Sequence, residues 1–132
     1  IIVGFPGESE RDFEDTMDVV KRVGFEFLFS FKYSSRPHTA AALMENVVPD
    51  EIASYRLEQL QAYHDTIRDT SSAFWVDKTM DVLFEEAKEG DILFGKSDNG
   101  FVVKTRGDVS LLGKILPVTI TQANRHTLTG TL

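Results

Sequence analysis

The side chains with the most chemical capacity in this 132-residue chain are its cations and its aromatic rings. Lys78, Lys96, Lys104, Arg106, Lys114, Arg125 and His126 all lie beyond residue 73. Such groups contact phosphate, and Phe94 and Phe101 among them could serve as stacking platforms for bases. Alternating strands also scatter cations over both sides of a sheet, and aromatic rings fill cores, so residue types alone leave both readings open. Tyr33, Ser35 and Arg36 form a second group, just past an aromatic run, where a guanidinium can grip a carboxylate or phosphate bidentately or simply be solvated. The third is Gly4-Phe5-Pro6-Gly7-Glu8. Its glycines would let the backbone approach a ligand, and they would equally serve an ordinary strand-to-helix turn. Glu8 has no paired carboxylate, so no acid–base role is assigned to it.

Composition removes several chemistries. There is no cysteine, which excludes a disulfide framework and any cysteine-held metal or iron–sulfur cluster on this chain itself. His38, His64 and His126 are too far apart in sequence for metal-site spacing. The formal net charge of -7 is uneven: residues 1–70 hold thirteen acidic and seven basic side chains, and the remainder hold eight and seven. An acidic average disfavours nonspecific nucleic-acid binding, but a basic face on the near-neutral second half escapes that average. No apolar run approaches the roughly 20 residues needed to span a bilayer, and no signal-peptide pattern is present, so the expectation is a cytoplasmic protein without membrane partners. The sequence opens inside an apolar run without Met, which points to a missing N-terminal portion.

The elements that must position these groups follow from periodicity. Ile1-Ile2-Val3 predicts a strand buried on both faces, and Ser9 with Asp12 predicts a capping box opening a helix whose first turns are acidic. Phe13, Met17 and Val20 give that helix one buried stripe, and Gly24 ends it. Phe25 to Tyr33 predicts a second strand, completing a βαβ unit. Pro49 is placed at the first position of a long helix running to about Ser72, its apolar side formed by Ile52, Tyr55, Leu60, Tyr63 and Ile67. From Phe74 the pattern alternates. Strands are predicted at 79–85, 92–96, 101–105, 114–120 and 127–132, with a hairpin at Asn99-Gly100, and five short strands suggest a closed or nearly closed barrel.

Two stretches resemble one family. Ile1 to Glu8 with its acidic helix, and Phe29-Ser30-Phe31-Lys32-Tyr33-Ser34-Ser35-Arg36-Pro37-His38-Thr39-Ala40-Ala41, are similar to the last part of the radical-SAM barrel in methylthiotransferases. Residues 74–132, with Leu112-Gly113-Lys114 and Val118-Thr119-Ile120-Thr121-Gln122-Ala123, resemble the appended TRAM domain, a small barrel that holds RNA. The resemblance implies an α/β fragment, the last βαβ part of a radical-SAM barrel, joined to a small all-β, OB-like barrel. The corresponding divisions are 1–48, a connector helix at 49–72, and 73–132.

Within the family, the MiaB-type branch, which methylthiolates an isopentenylated adenosine beside the tRNA anticodon, carries a Tyr-Ser-Pro-Arg-Pro-Gly-Thr-Pro-Ala pattern that residues 33–41 resemble. Arg36 and Pro37 are retained, while Ser35, His38 and Ala40 depart from it. Loss of the glycine at position 38 bears on the loop's backbone, since histidine adopts positive φ only reluctantly. The resemblance implies S-adenosylmethionine and 4Fe–4S clusters in the intact enzyme, whose C-x-x-x-C-x-x-C ligands this chain lacks, so the portion alone is expected to be inactive. It further implies that Gly4, Phe5, Pro6, Gly7, Glu8, Tyr33 and Arg36 belong to the cofactor wall, and that the seven cations grip the tRNA anticodon stem-loop. The alternatives are a noncatalytic RNA-binding module and a methylthiotransferase acting on a ribosomal protein.

Overall fold

A computed structural model describes residues 1–132. The short strand β1 (Ile2–Val3) leads through the glycine turn to Ser9, whose hydroxyl accepts from the Asp12 N–H at 3.2 Å while the Asp12 carboxylate accepts from the Ser9 N–H at 2.8 Å. This reciprocal capping box opens helix α1 (Glu10–Val23), and Gly24 closes it at φ 65°, both as predicted. Phe13 and Val20 of α1 turn inward onto Val3 and Leu60.

Past α1 the predicted nine-residue strand is largely absent. Only β2 (Phe31–Lys32) pairs, parallel to β1, with Ile2 opposite Phe31. A two-residue β1 offers too short a ladder to organise the rest, and Phe29 is 77% exposed, with Phe25, Phe27 and Phe31 also exposed. The same geometry corrects the expectation that the first strand is buried on both faces. Val3 is buried under the helices, while Ile1 and Ile2 face solvent.

A 3₁₀ turn at Ala40–Leu43 precedes the long helix α2 (Asp50–Phe74). The Pro49 carbonyl accepts the first helical bond, from the Ala53 N–H, so proline stands at the N-cap rather than inside the helix. Its inward face is also rotated from the predicted one. Ala53, Arg56 and Leu60 are buried, Leu57 and Tyr63 pack beside them, and Ile52 and Tyr55 are exposed. Gly4 explains part of this rotation: a Cβ there would lie 2.5 Å from the Ala53 Cβ, so this close approach admits only a small side chain from the helix.

The remaining strands are β3 (Thr79–Lys88), β4 (Ile92–Ser97), β5 (Val102–Arg106), β6 (Ile115–Ala123) and β7 (Thr127–Thr131). They form a closed barrel in the order β3-β4-β5-β7-β6, antiparallel except where β7 runs parallel to β5. The five predicted strands, the closure and the hairpin at Asn99-Gly100 are therefore observed. Strand alternation selects the barrel core: Met80, Val82, Phe84, Leu93, Val103, Val118, Ile120 and Leu128 point inward, joined by Phe101. The chain divides into two compact units, Ile1–Ile67 and Arg68–Leu132.

Candidate nucleic-acid interface and strand-end cleft

On the barrel, the alternation that buries Leu93, Gly95 and Ser97 turns Phe94 and Lys96 outward. On β5 it buries Val103 and Thr105 and turns Lys104 and Arg106 outward. The antiparallel register sets Lys104 directly opposite Phe94, and Arg106 opposite Ile92. Thus Lys96, Lys104 and Arg106 share one outer face with an aromatic ring at its centre. Side chains directly opposite in such a pair have Cβ atoms about 5 Å apart, near enough to act on one ligand.

The other four predicted cations are not on that face. Lys78 precedes β3, its ammonium over the Phe74 ring, and Lys114 precedes β6 in an exposed turn. Arg125 and His126 occupy the β6–β7 turn. There the Arg125 Nε and Nη2 donate to the two Asp69 carboxylate oxygens at 2.9 and 2.7 Å, a bidentate pair that ties the turn to the end of α2. The Arg125 guanidinium holds the Asp69 carboxyl below its ordinary value of 3.8. Arg68 reinforces the same corner, lying over the Phe101 ring at 5.0 Å and donating to the Arg125 carbonyl at 2.9 Å. Phe101 is core, which rules it out as a stacking platform.

One cation escaped the sequence reading. Strand β3 runs three residues past its predicted end, a register shift between Phe84 and Glu86 resets its alternation, and the Lys88 Nζ sits 4.6 Å from the Phe94 ring centroid. Simple alternation from Met80, Val82 and Phe84 would have turned Lys88 inward, so the sequence pattern carried no signal for it.

In the first unit, Phe5, Tyr33 and Arg36 line a cleft of about 540 Å³ at the carboxyl ends of β1 and β2, with Ile2 and Phe31 on its apolar wall. Phe5 and Tyr33 meet edge to face at 5.3 Å, and the buried Tyr33 hydroxyl has no hydrogen-bond partner within the chain. The neighbouring Gly4, Pro6, Gly7 and Glu8 do not line that cleft. Gly4 and Pro6 are buried, Gly7 donates to the Asn46 carbonyl at 2.7 Å, and Glu8 turns toward α2. The Glu8 Oε1 accepts from Arg56 Nη1 at 2.7 Å and from the Gly4 N–H at 3.0 Å, while Arg56 also donates to the Glu8 carbonyl at 3.0 Å and to Glu10 at 3.2 Å. Arg56 and Glu8 side chains are only 5% and 10% exposed. Arg56 therefore locks the strand-end turn in place. Sequence reasoning missed it, because a count of apolar residues places Ile52 and Tyr55, not Arg56, on the inward face of α2. His38 lies in the loop beside the cleft at φ 64°, so the left-handed backbone that a glycine would favour is kept despite the imidazole.

The closed five-stranded barrel occupies the residues, 75–132, that match the TRAM domain. Similarity extends over the whole chain. It is 52% identical over all 132 residues to the tRNA-2-methylthio-N(6)-dimethylallyladenosine synthase of a Nitratiruptor species, covering 30% of that protein. It is 51% identical over 130 residues (98% of the chain, 30% of the relative) to the synthase of the same name from Campylobacter jejuni serotype O:2, and 49% identical over 132 residues to that of a Sulfurovum species, of which it covers 31%. The chain is homologous over its full length to the C-terminal regions of these methylthiotransferases, and it spans about a third of the length of the curated relatives it matches. No helix is long and apolar enough to cross a membrane.

Proposed function

We propose that this chain is the RNA-gripping and cofactor-walling part of a cytoplasmic tRNA methylthiotransferase that adds a methylthio group to an isopentenylated adenosine beside the anticodon. The observation that carries this reading is identity of about half to the synthases over the whole chain rather than over the barrel alone. In this reading residues 1–48 contribute the closing βαβ part of a radical-SAM barrel, 49–72 connect, and 73–132 hold tRNA.

The strand-end cleft fits S-adenosylmethionine in its chemistry. Phe5 and Tyr33 offer aromatic surface to an adenine, and Arg36 offers a bidentate partner for a carboxylate. That cofactor, bound with a cluster, supplies the methyl group and the radical. The residues here do not fit a 4Fe–4S cluster, having no thiolate to ligate it, so cluster chemistry is assigned to residues outside this stretch. What this stretch does is orient. The Gly4–Ser9 turn, held by Glu8 and Arg56, fixes Phe5 at the cleft mouth. Lys96, Lys104 and Arg106 present positive charge to phosphates. The Arg36 loop supports a tRNA substrate over a ribosomal protein, because residues 33–41 resemble the MiaB-type pattern with Arg36 and Pro37 retained.

Charge reversal tests the grip. Lys104→Glu with Arg106→Glu is expected to weaken tRNA binding and lower the slope of log K against log salt by roughly 0.7–0.9 for each phosphate no longer neutralised. Unchanged affinity and slope in a filter assay would reject these residues as the interface.

A further inference from the structure

We propose that the outward ring of Phe94 is a platform on which one unpaired RNA base stacks, with Lys88 and Lys104 meeting the phosphates that flank it. The inference rests on the RNA-binding reading of the barrel and goes beyond it by naming the form of RNA: a single-stranded or looped-out nucleotide rather than a duplex.

Four observations converge on this ring. Phe94 is half-buried, an outward-facing aromatic on a strand whose neighbours Leu93 and Gly95 face the core. Cations surround it from three directions: Lys88 from the end of β3, where it pairs with Ile92, Lys96 two residues along its own strand, and Lys104 directly across on β5. A cleft of about 420 Å³ opens beside the ring, bounded by Lys88, Lys96 and Val102. Two carboxylates, Glu85 and Glu86, edge the same cleft, 3.9 Å from Lys96 and 3.6 Å from Lys88.

Each feature restricts the ligand. In a duplex the base faces are covered by their neighbours, so only an unpaired base can offer its face to Phe94. The Lys88 ammonium now rests over the ring. A cation–π contact at an exposed site is weaker than base stacking, so an arriving base displaces it and leaves it beside the incoming nucleotide's phosphate. The carboxylates would repel phosphate but accept hydrogen bonds from an exocyclic amine, which favours cytosine over uracil at equal ring size.

The test uses the full 132-residue chain and short RNA oligonucleotides at low salt: a single-stranded oligo(C) carrying one 2-aminopurine, the same length of oligo(U), and a fully paired hairpin stem. The wild-type chain should bind the single strands in a salt-dependent way, quench the 2-aminopurine, and bind oligo(C) more tightly than oligo(U). Phe94→Leu should weaken single-strand binding about 5- to 100-fold and abolish quenching while changing stem binding less than about twofold, and Phe94→Trp should restore quenching. Circular dichroism confirms that the outward substitution leaves the barrel folded. Salt-dependent binding with full quenching in Phe94→Leu would overturn the platform and leave the RNA-binding reading standing, as would an equal loss on strand and stem, which marks a structural role. Wild-type protein that binds none of the three RNAs would overturn both.

Discussion

Removing the guanidinium of Arg56 should loosen the first unit more than any single surface change. The side chain is 5% exposed, donates to Glu8 through both carboxylate and carbonyl, and lies 5.7 Å from the Phe13 ring centroid. Arg56→Met keeps most of the apolar stem but leaves the Glu8 carboxylate, 10% exposed, with only the Gly4 N–H for a partner. Breaking a buried pair from one side costs about 3–5 kcal/mol, because the surviving charge stays desolvated. The bond to Glu10 gives an internal comparison. That carboxylate is 68% exposed, so Glu10→Gln should cost about 0–1 kcal/mol. Neutralising both buried partners, Arg56→Met with Glu8→Gln, should recover a large part of the loss, giving a coupling energy well above the few tenths expected of independent sites. Urea unfolding followed by far-UV circular dichroism measures these differences, and Trp75 fluorescence reports the barrel as a control. An Arg56→Met cost under about 1 kcal/mol, or one equal to that of Glu10→Gln, would refute the clamp.

Other outcomes follow from local geometry. Ser9→Ala removes the α1 cap and should cost about 1 kcal/mol, read as reduced helical stability by urea titration. The hydrogen bonds donated by the Ser9 hydroxyl and amide hold the Asp12 carboxyl below 3.8. A depressed carboxylate stabilises the fold above its unfolded value and loses that contribution as pH falls through the lower folded one. Asp12→Asn should therefore flatten the decline of Tm just below pH 3.8, and an unchanged profile would mean that the cap has no part in the acid sensitivity. His38→Gly relieves a left-handed residue at φ 64° worth about 1–2 kcal/mol, partly offset by the freer unfolded chain, so stability should rise by up to about 1 kcal/mol in the same titration. Gly95→Ala should destabilise the barrel by about 3 kcal/mol or more, because its methyl would collide with the Leu83 carbonyl oxygen; a Trp75 melting curve tests this.

The barrel was legible because its strands state their own faces. Val118 and Ile120 alternate with Thr119 and Thr121, and Asn99-Gly100 marks the hairpin between β4 and β5, so strand count and closure came from local pattern. The capping box and Gly24 were legible for the same reason. What failed was anything decided by a partner far along the chain. The aromatic run from Phe25 to Tyr33 has strand composition, but pairing needs a neighbour, and β1 supplies two residues. The inward face of α2 was misread because an arginine with a buried carboxylate outweighs Ile52 and Tyr55, a trade invisible to a count of apolar residues. Phe94 and Phe101 looked alike as ring types, and register alone separates the outward one from the core. Among the cations, Lys96, Lys104 and Arg106 fell together by alternation, whereas Arg125 was claimed by Asp69 from the far end of α2.

Strand β7 bonds to β5 on one side and β6 on the other, and those two seams are what turn a sheet into a barrel. Before Thr127–Thr131 are in place, β5 and β6 are both open edges, each offering a row of unsatisfied amides and carbonyls. During synthesis the barrel therefore stays unsealed until its last strand has emerged and can pair with β5 on one side and β6 on the other. A nascent chain paused upstream of residue 127, or one clipped there afterwards, is an adhesive sheet prone to join another copy edge to edge. Five residues thus decide between a closed barrel and an open sheet that aggregates.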